Sequence, residues 1–475
     1  MRNVICRALL AMLMIVGAAD SMAAQVLPIT GTFINLPYQD VRNKYTNPQF
    51  IDNTDPAMWV AKIEEMKEMG MEYLVFMSVA NECKAYYPSK LMEWHYPQWR
   101  QSPVDAIMDA AAKHGMKVFM STGWAKDQDD NLRDPAIKGR QIEMMEELAG
   151  LYGDHPAFHG WYLPVEDCFG PVLTDYAVEA VNALTARARE LTPDARIMIS
   201  PYGIFNSDFD DPRYEQQIAR LKVDIIAYQD EIGCVRERYP LTRLRENWKK
   251  LRAIHDKTGI EMWANCESFA WEEGTNDRSS ALIPAPFPRL LAQMVAATEG
   301  GAEKIISFVI CGLFEKPDSQ YQLGQPYWSA KAYEDYMAWL EGDRYWHEAQ
   351  QYMWSSHPAP KEDPSDKAWT VCKPGTHEFK LKVSKDFKSF DVRMLNCHKD
   401  NIVPPAKLFL FVSKDGKKWS LHQIKDAPVW ANTNHDAFVD HVTFDNLPSD
   451  AKYLKLSFTA EKKAYVFYTK KKNQN

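Results

Sequence analysis

Apolar residues between positions 26 and 345 follow two alternating rhythms. Short runs that are apolar almost throughout, as in strands buried on both faces, are separated by longer stretches with the 3.6-residue period of helices. Residues 26–36 (VLPITGTFINL) read as a first strand, and residues 57–69 as a helix with cap signals at Thr54 and Asp55 and a stop at Gly70. Strand 73–79 (YLVFMSV), helix 104–114 up to Gly115, strand 117–122 and the long helix 135–151 opened by Pro135 come next. The stretch 158–167 (FHGWYLPVED) is the fourth strand, an aromatic run that ends on two acids before the break at Gly170 and Pro171. The beat continues through helix 174–191, strand 196–200, helix 213–221, strand 223–228, helix 241–257, strand 261–265, helix 287–298, strand 304–310 and helix 329–340.

Eight strand–helix units predict an α/β fold of the (β/α)8, or TIM-barrel, type, with residues at the carboxyl ends of the strands converging on one mouth. A doubly wound open sheet would normally bring a glycine-rich phosphate loop, and the sequence has none. Helical periodicity disappears after the proline-rich stretch 357–364 (HPAPKEDP), and residues 365–475 alternate in short β-branched and aromatic runs, the pattern of a small all-β sandwich. The expected layout is therefore a barrel over 24–356, a linker over 357–364 and a sandwich over 365–475.

Composition bounds the function. With 46% hydrophobic and 25% charged residues over 475 positions, the chain is globular and too long for one ordinary core. Arg2 and Arg7 flank the start of a short apolar run, and Ser21-Met22-Ala23 has the small-x-small form of a cleavage site, so residues 1–23 read as a signal peptide. The expectation is an exported protein of the periplasm, cell surface or medium, with no transmembrane segment after signal removal. Loss of those residues takes the net charge from −8 to −9, a poor balance for nucleic-acid binding. The cysteine spacing matches no zinc pattern, and His155 and His159 flank a proline before the fourth strand, so neither metal nor cofactor is expected.

Two strand ends carry the candidate chemistry. Glu166 ends the fourth strand, and Glu267 follows the seventh in EMWANCESF. Glycoside hydrolysis needs such a pair, one carboxyl protonated as acid and one ionised as nucleophile or base. A third acidic stretch, YQDEIG, places Asp230 and Glu231 after the sixth strand, and Asp230, nearer the strand, is the better candidate for the base of an inverting pair or a contact to substrate. Gln229, Asn265 and Trp263 lie beside these acids and are expected to bind substrate with them. Asn35 and Tyr38 after strand one, Asn81 after strand two, Trp124 after strand three and Tyr202 after strand five supply amides and aromatic faces of the kind that hold sugar rings.

The placement of Glu166 and Glu267 resembles that in the retaining glycoside hydrolases of clan A, although Val165 stands where that clan usually has Asn. The resemblance implies Glu166 as acid/base and Glu267 as nucleophile. GWYLPVE, AYQDEIG and WANCESF together resemble a poorly characterised bacterial family of exported glycoside-hydrolase-type barrels, often joined to a C-terminal sandwich, which implies a carbohydrate substrate. Ser413, Asp415, Gly416 and Trp419 resemble the S-x-DG-x-x-W turn of discoidin-like sandwiches, which implies carbohydrate binding there. A non-catalytic glycan-binding protein on a barrel scaffold is the alternative. A metal-dependent hydrolase such as a deacetylase would need a His/Asp ligand cluster that the sequence does not show.

Overall fold

The computed structural model describes residues 25–36, 44–45, 47, 55–81, 83–94, 101–124, 132–165, 170–234, 241–272, 280–285, 287–324, 329–342, 363–383, 390–397, 400–426, 437–444 and 446–468. The proposed signal peptide, most of the proline-rich linker, Tyr38 and Glu166 lie outside them.

Eight strands close a parallel barrel: β1 (Ile29–Ile34), β2 (Tyr73–Phe76), β3 (Lys117–Met120), β4 (Phe158–Tyr162), β5 (Arg196–Ile199), β6 (Ile225–Gln229), β7 (Glu261–Glu267) and β8 (Lys304–Phe308). Each pairs with its chain neighbours, and β8 closes on β1. The helices are α1 (Pro56–Glu68), α2 (Pro103–Lys113), α3 (Pro135–Tyr152), α4 (Asp175–Leu191), α5 (Pro212–Arg220), α6 (Leu241–Thr258), α7 (Phe287–Glu299) and α8 (Ser329–Glu341). The chain is thus a TIM barrel followed by a small β-sandwich.

Local chemistry explains the boundaries. Ser102 and Asp105 form a reciprocal capping box at the start of α2, Pro103 sits in the first turn, and Gly115 takes the left-handed turn just past the end with φ +64°. The strands are near-continuously buried because their two faces meet different cores. The lumen side is filled by Phe33, Tyr73, Val75, Phe119, Tyr162, Met198, Ile225, Ala227, Trp263 and Ile306. The opposite side packs against the helices in a much larger cluster.

The sandwich holds β9 (Thr370–Cys372), β10 (Gly375–Lys382), β11 (Phe390–Asn396), β12 (Lys407–Ser413), β13 (Ser420–Asp426), β14 (Phe438–Phe444), β15 (Tyr453–Ala460) and β16 (Ala464–Tyr468). Its antiparallel sheets run β9-β16-β11-β14 and β10-β15-β12-β13. Phe390, Val392 and Met394 of one face Leu408, Leu410, Leu454, Leu456 and Phe458 of the other. The Ser413–Trp419 motif is the turn between β12 and β13: Asp415 accepts from the backbone N–H groups of Lys417 and Lys418, and Gly416 has φ +72°.

Candidate active site

The site is built where β6 and β7 end side by side. Side chains of a strand alternate between faces, so Trp263 in the lumen puts Asn265 and Glu267 on the lumen side of β7 as well. Asn265 Nδ2 donates to Ser200 Oγ at 3.0 Å, and Gln229 Nε2 donates to the Ser200 carbonyl at 2.9 Å. Asn265, Gln229 and Ser200 therefore form one polar layer at the carboxyl ends of β5, β6 and β7. The Oδ1 atom of Asn265, in a residue 1% exposed, has no hydrogen-bond partner among the described residues.

Glu267 is 3% exposed, and its Oε2 accepts from the Cys234 backbone N–H at 2.7 Å. Gly233 passes so close that an added Cβ would lie 2.9 Å from that oxygen, which is why the loop over the carboxylate carries glycine there. Burial and, next, the charge of Asp230 push the Glu267 carboxyl up to about 8, against the pull of the Cys234 thiol and N–H.

Asp230 is a correction to the sequence reading. The alternation that turns Gln229 inward turns Asp230 outward, behind the mouth and wholly buried. Its Oδ1 accepts from the backbone N–H of Glu267 at 3.1 Å and of Ile232 at 3.2 Å, and its Oδ2 from Gln293 Nε2 of α7 at 2.7 Å. Burial raises its pKa, while Gln293 and the two N–H groups hold it down. The next residue, Glu231, reaches the loop after β5 instead, accepting from the Gly203 N–H at 2.9 Å from a backbone at φ +55°.

Trp263 is the second correction. Its ring packs 5.0 Å from Tyr73 and near Lys304, both first residues of their strands, and its Nε1 donates to Glu261. It therefore fills the amino end of the barrel, far from the mouth. Tyr202, 38% exposed, Trp124, Asn35 and Asn81 follow β5, β3, β1 and β2 on the carboxyl side, where the topology puts them on the same rim as Glu267. Glu166 and Tyr38 lie outside the described residues.

Sequence reasoning missed Arg289 and Gln293 of α7. The signal was present: two polar residues four apart on one face of a helix, FPRLLAQMVAATE, that is otherwise apolar up to its last two residues. Among the described residues no cluster of three or more His, Cys, Asp or Glu is arranged to hold a metal, and no helix is long and apolar enough to cross a membrane.

A family model described as "Domain of unknown function (DUF4434)" matches residues 29–321. The chain belongs to the DUF4434 family. The match covers β1 to the segment just beyond β8, so the family's defining unit is the barrel. A search of the curated proteins finds no match. Among solved structures, this DUF4434 protein is similar to a putative alpha-L-fucosidase from Bacteroides thetaiotaomicron, at 20% identity and a TM-score of 0.52 over 68% of this chain and 98% of that one. At that identity the likeness is one of fold. Weaker matches are a GH2 beta-galacturonidase from Eisenbergiella tayi, 13% identical over 67% of this chain and 52% of its own, TM-score 0.42, and a glycoside hydrolase family 5 protein from Bacteroides vulgatus, 13% identical over 85% of each chain, TM-score 0.38. Likeness that weak carries no functional weight.

Proposed function

We propose that the barrel hydrolyses a glycosidic bond of a carbohydrate by a retaining mechanism, with Glu267 as nucleophile and Glu166 as acid/base. The observation that carries this reading is the Glu267 carboxyl, on the lumen side of the carboxyl end of β7 and beside a polar layer suited to sugar hydroxyls. Carboxyl ends of barrel strands are where catalytic residues of this architecture sit. The fold shared with a structure carrying a fucosidase name agrees with it. Tyr202 and Trp124 offer aromatic faces on the same rim. Export by residues 1–23 and glycan binding by a discoidin-like sandwich complete the proposal.

A nucleophile attacks as an anion, whereas this site holds a proton on Glu267 to about pH 8. Turnover therefore rises with pH as Glu267 ionises; a proton donor at this position would give the opposite limb. The test uses aryl glycosides with activated leaving groups. Glu267→Gln keeps the shape of the side chain and should lower kcat by at least about 10⁴-fold with substrate binding retained within about tenfold. Proton NMR of the first-formed sugar should show the retained anomer. Wild-type rates in Glu267→Gln would sink the reading.

The burial of Glu267 at 3% exposure also favours a second reading, glycan binding without turnover, because a covered carboxyl is a ready structural group. Binding of a glycan that no preparation of the protein cleaves would select it.

A further inference from the structure

The main chain of Glu267 is held from the helix side on both of its polar groups. Its N–H donates to Asp230 Oδ1 at 3.1 Å, and its carbonyl accepts from Gln293 Nε2 at 3.1 Å and Arg289 Nη2 at 3.2 Å. Gln293 uses the same amide nitrogen to hold Asp230 Oδ2 at 2.7 Å, and the Asp230 N–H donates to the Asn265 carbonyl at 3.0 Å. Asp230, Gln293, Arg289 and the end of β7 thus form one closed network behind the mouth, with no exposed atom at Asp230 or Gln293.

An amide oxygen could accept the two main-chain N–H bonds, but an amide nitrogen could not accept the third from Gln293, and burying an ionised carboxylate costs several kcal/mol unless it is well paired. The charge of Asp230 therefore asks for a role beyond holding the turn. Two carboxyls joined through one residue's backbone in a dry site do not both ionise readily, so one proton is retained between them. Asp230 has three N–H donors, the Cys266 thiol and the nearby Arg289 charge; among the described residues Glu267 has the N–H and thiol of Cys234. The proton accordingly stays on Glu267. Among the described residues, the titratable and charged groups facing Glu267 are Asp230 and Glu231 after β6, Cys234 in the loop above, Cys266 on β7 and Arg289 on α7.

We propose that Asp230, locked on Gln293, is a positioning residue that fixes the Glu267 main chain and, by its charge, decides when the Glu267 carboxyl gives up its proton. The proposal rests on Glu267 being the reacting carboxyl, but half of its test does not depend on that.

Carbon-13 NMR of protein labelled at the glutamate carboxyl, with Glu267→Gln to assign the signal, gives the ionisation midpoint of Glu267 directly. In Asp230→Asn that midpoint should fall by at least about one pH unit, since the main opposing charge is gone. The acid limb of kcat/KM on an activated aryl glycoside should move by the same amount. Gln293→Met keeps both charges and removes the clamp, so kcat should drop about tenfold or more while KM stays within about threefold. An unmoved midpoint in Asp230→Asn, or unaltered kcat in Gln293→Met, overturns the proposal. If Asp230→Asn does not fold, the wild-type titration still decides, because a Glu267 midpoint in the ordinary carboxyl range of about 4–5 contradicts it. A midpoint that moves as expected in a protein that cleaves no glycoside leaves the coupling standing and removes the glycosidase reading alone.

Discussion

Asp230 and Glu231 are neighbours in the chain, yet they bind different elements. Asp230 binds Gln293 on α7, and Glu231 binds the loop after β5. The protonation of these buried groups reaches stability as well as chemistry. Folding moves Glu267 from the ordinary carboxyl range up to about 8, so the folded state keeps a proton that the unfolded chain has lost. That contribution is full below the unfolded value and drains away as pH rises through the folded one. His159 and His255 run the other way, because burial lowers both to about 4. Between about 4 and the ordinary histidine value of about 6.5 the unfolded chain binds the extra protons, and stability rises with pH. Above about 6.5 only the carboxyl effect remains. The thermal midpoint should therefore fall from pH 6.5 to 8.5, with a shallower fall in Glu267→Gln; equal slopes in the two proteins would contradict this account.

Closely packed elements leave little room for change. Gly160 of β4 faces Arg196 of β5, and a Cβ there would lie 2.0 Å from the Arg196 carbonyl oxygen. Because the obstacle is backbone, Gly160→Ala should cost at least about 2 kcal/mol in chemical denaturation. Gly139 in α3 has nothing within 4 Å of an added Cβ, and Gly139→Ala should stabilise by about 0.5–1 kcal/mol. Similar effects at the two sites would refute this contrast. Lys62 of α1 is 3% exposed and pairs with Glu315 beyond β8, itself 1% exposed. Glu315 also accepts from the Leu323 and Gly324 N–H groups, so the pair ties α1 to the segment that closes the barrel. Lys62→Met strands that carboxylate and should cost about 3–5 kcal/mol, much of it recovered in Lys62→Met with Glu315→Leu. A loss under about 1 kcal/mol would show that the pair adds little.

At the scale of the molecule the sandwich is more than an appendage. β14 runs beside α7, the helix whose Arg289 and Gln293 hold β7, and Leu395, Val439 and Tyr465 on that sheet's outer side are buried. A chain ending at residue 364 uncovers part of α7, and its barrel should melt at least about 5 °C lower than in the full protein. Equal melting would make the sandwich independent of the barrel. His255 illustrates how the barrel layers lock elsewhere: its ring sits between the Tyr228 hydroxyl of β6 at 2.8 Å and the Ile260 carbonyl at 2.7 Å, just before β7.

Hydrophobic periodicity by itself determined the eight strand–helix units and the change to a sandwich, because each strand's burial and each helix's apolar stripe are written locally. It also placed Gln229, Asn265 and Glu267 at strand ends, since order along a barrel strand maps directly onto depth. Other features were decided only by tertiary structure. Trp263 lies just four residues before Glu267, yet strand rise carries it to the barrel's amino end. Asp230 was expected in the mouth because it is nearer its strand, but the pleat turns it to the helices. Its partner Gln293 comes from a helix about 60 positions further on, which no local pattern links to β6. Which acid faces the lumen, which keeps its proton and which helix holds it follow from faces and neighbours, and those exist only once the sheet has closed.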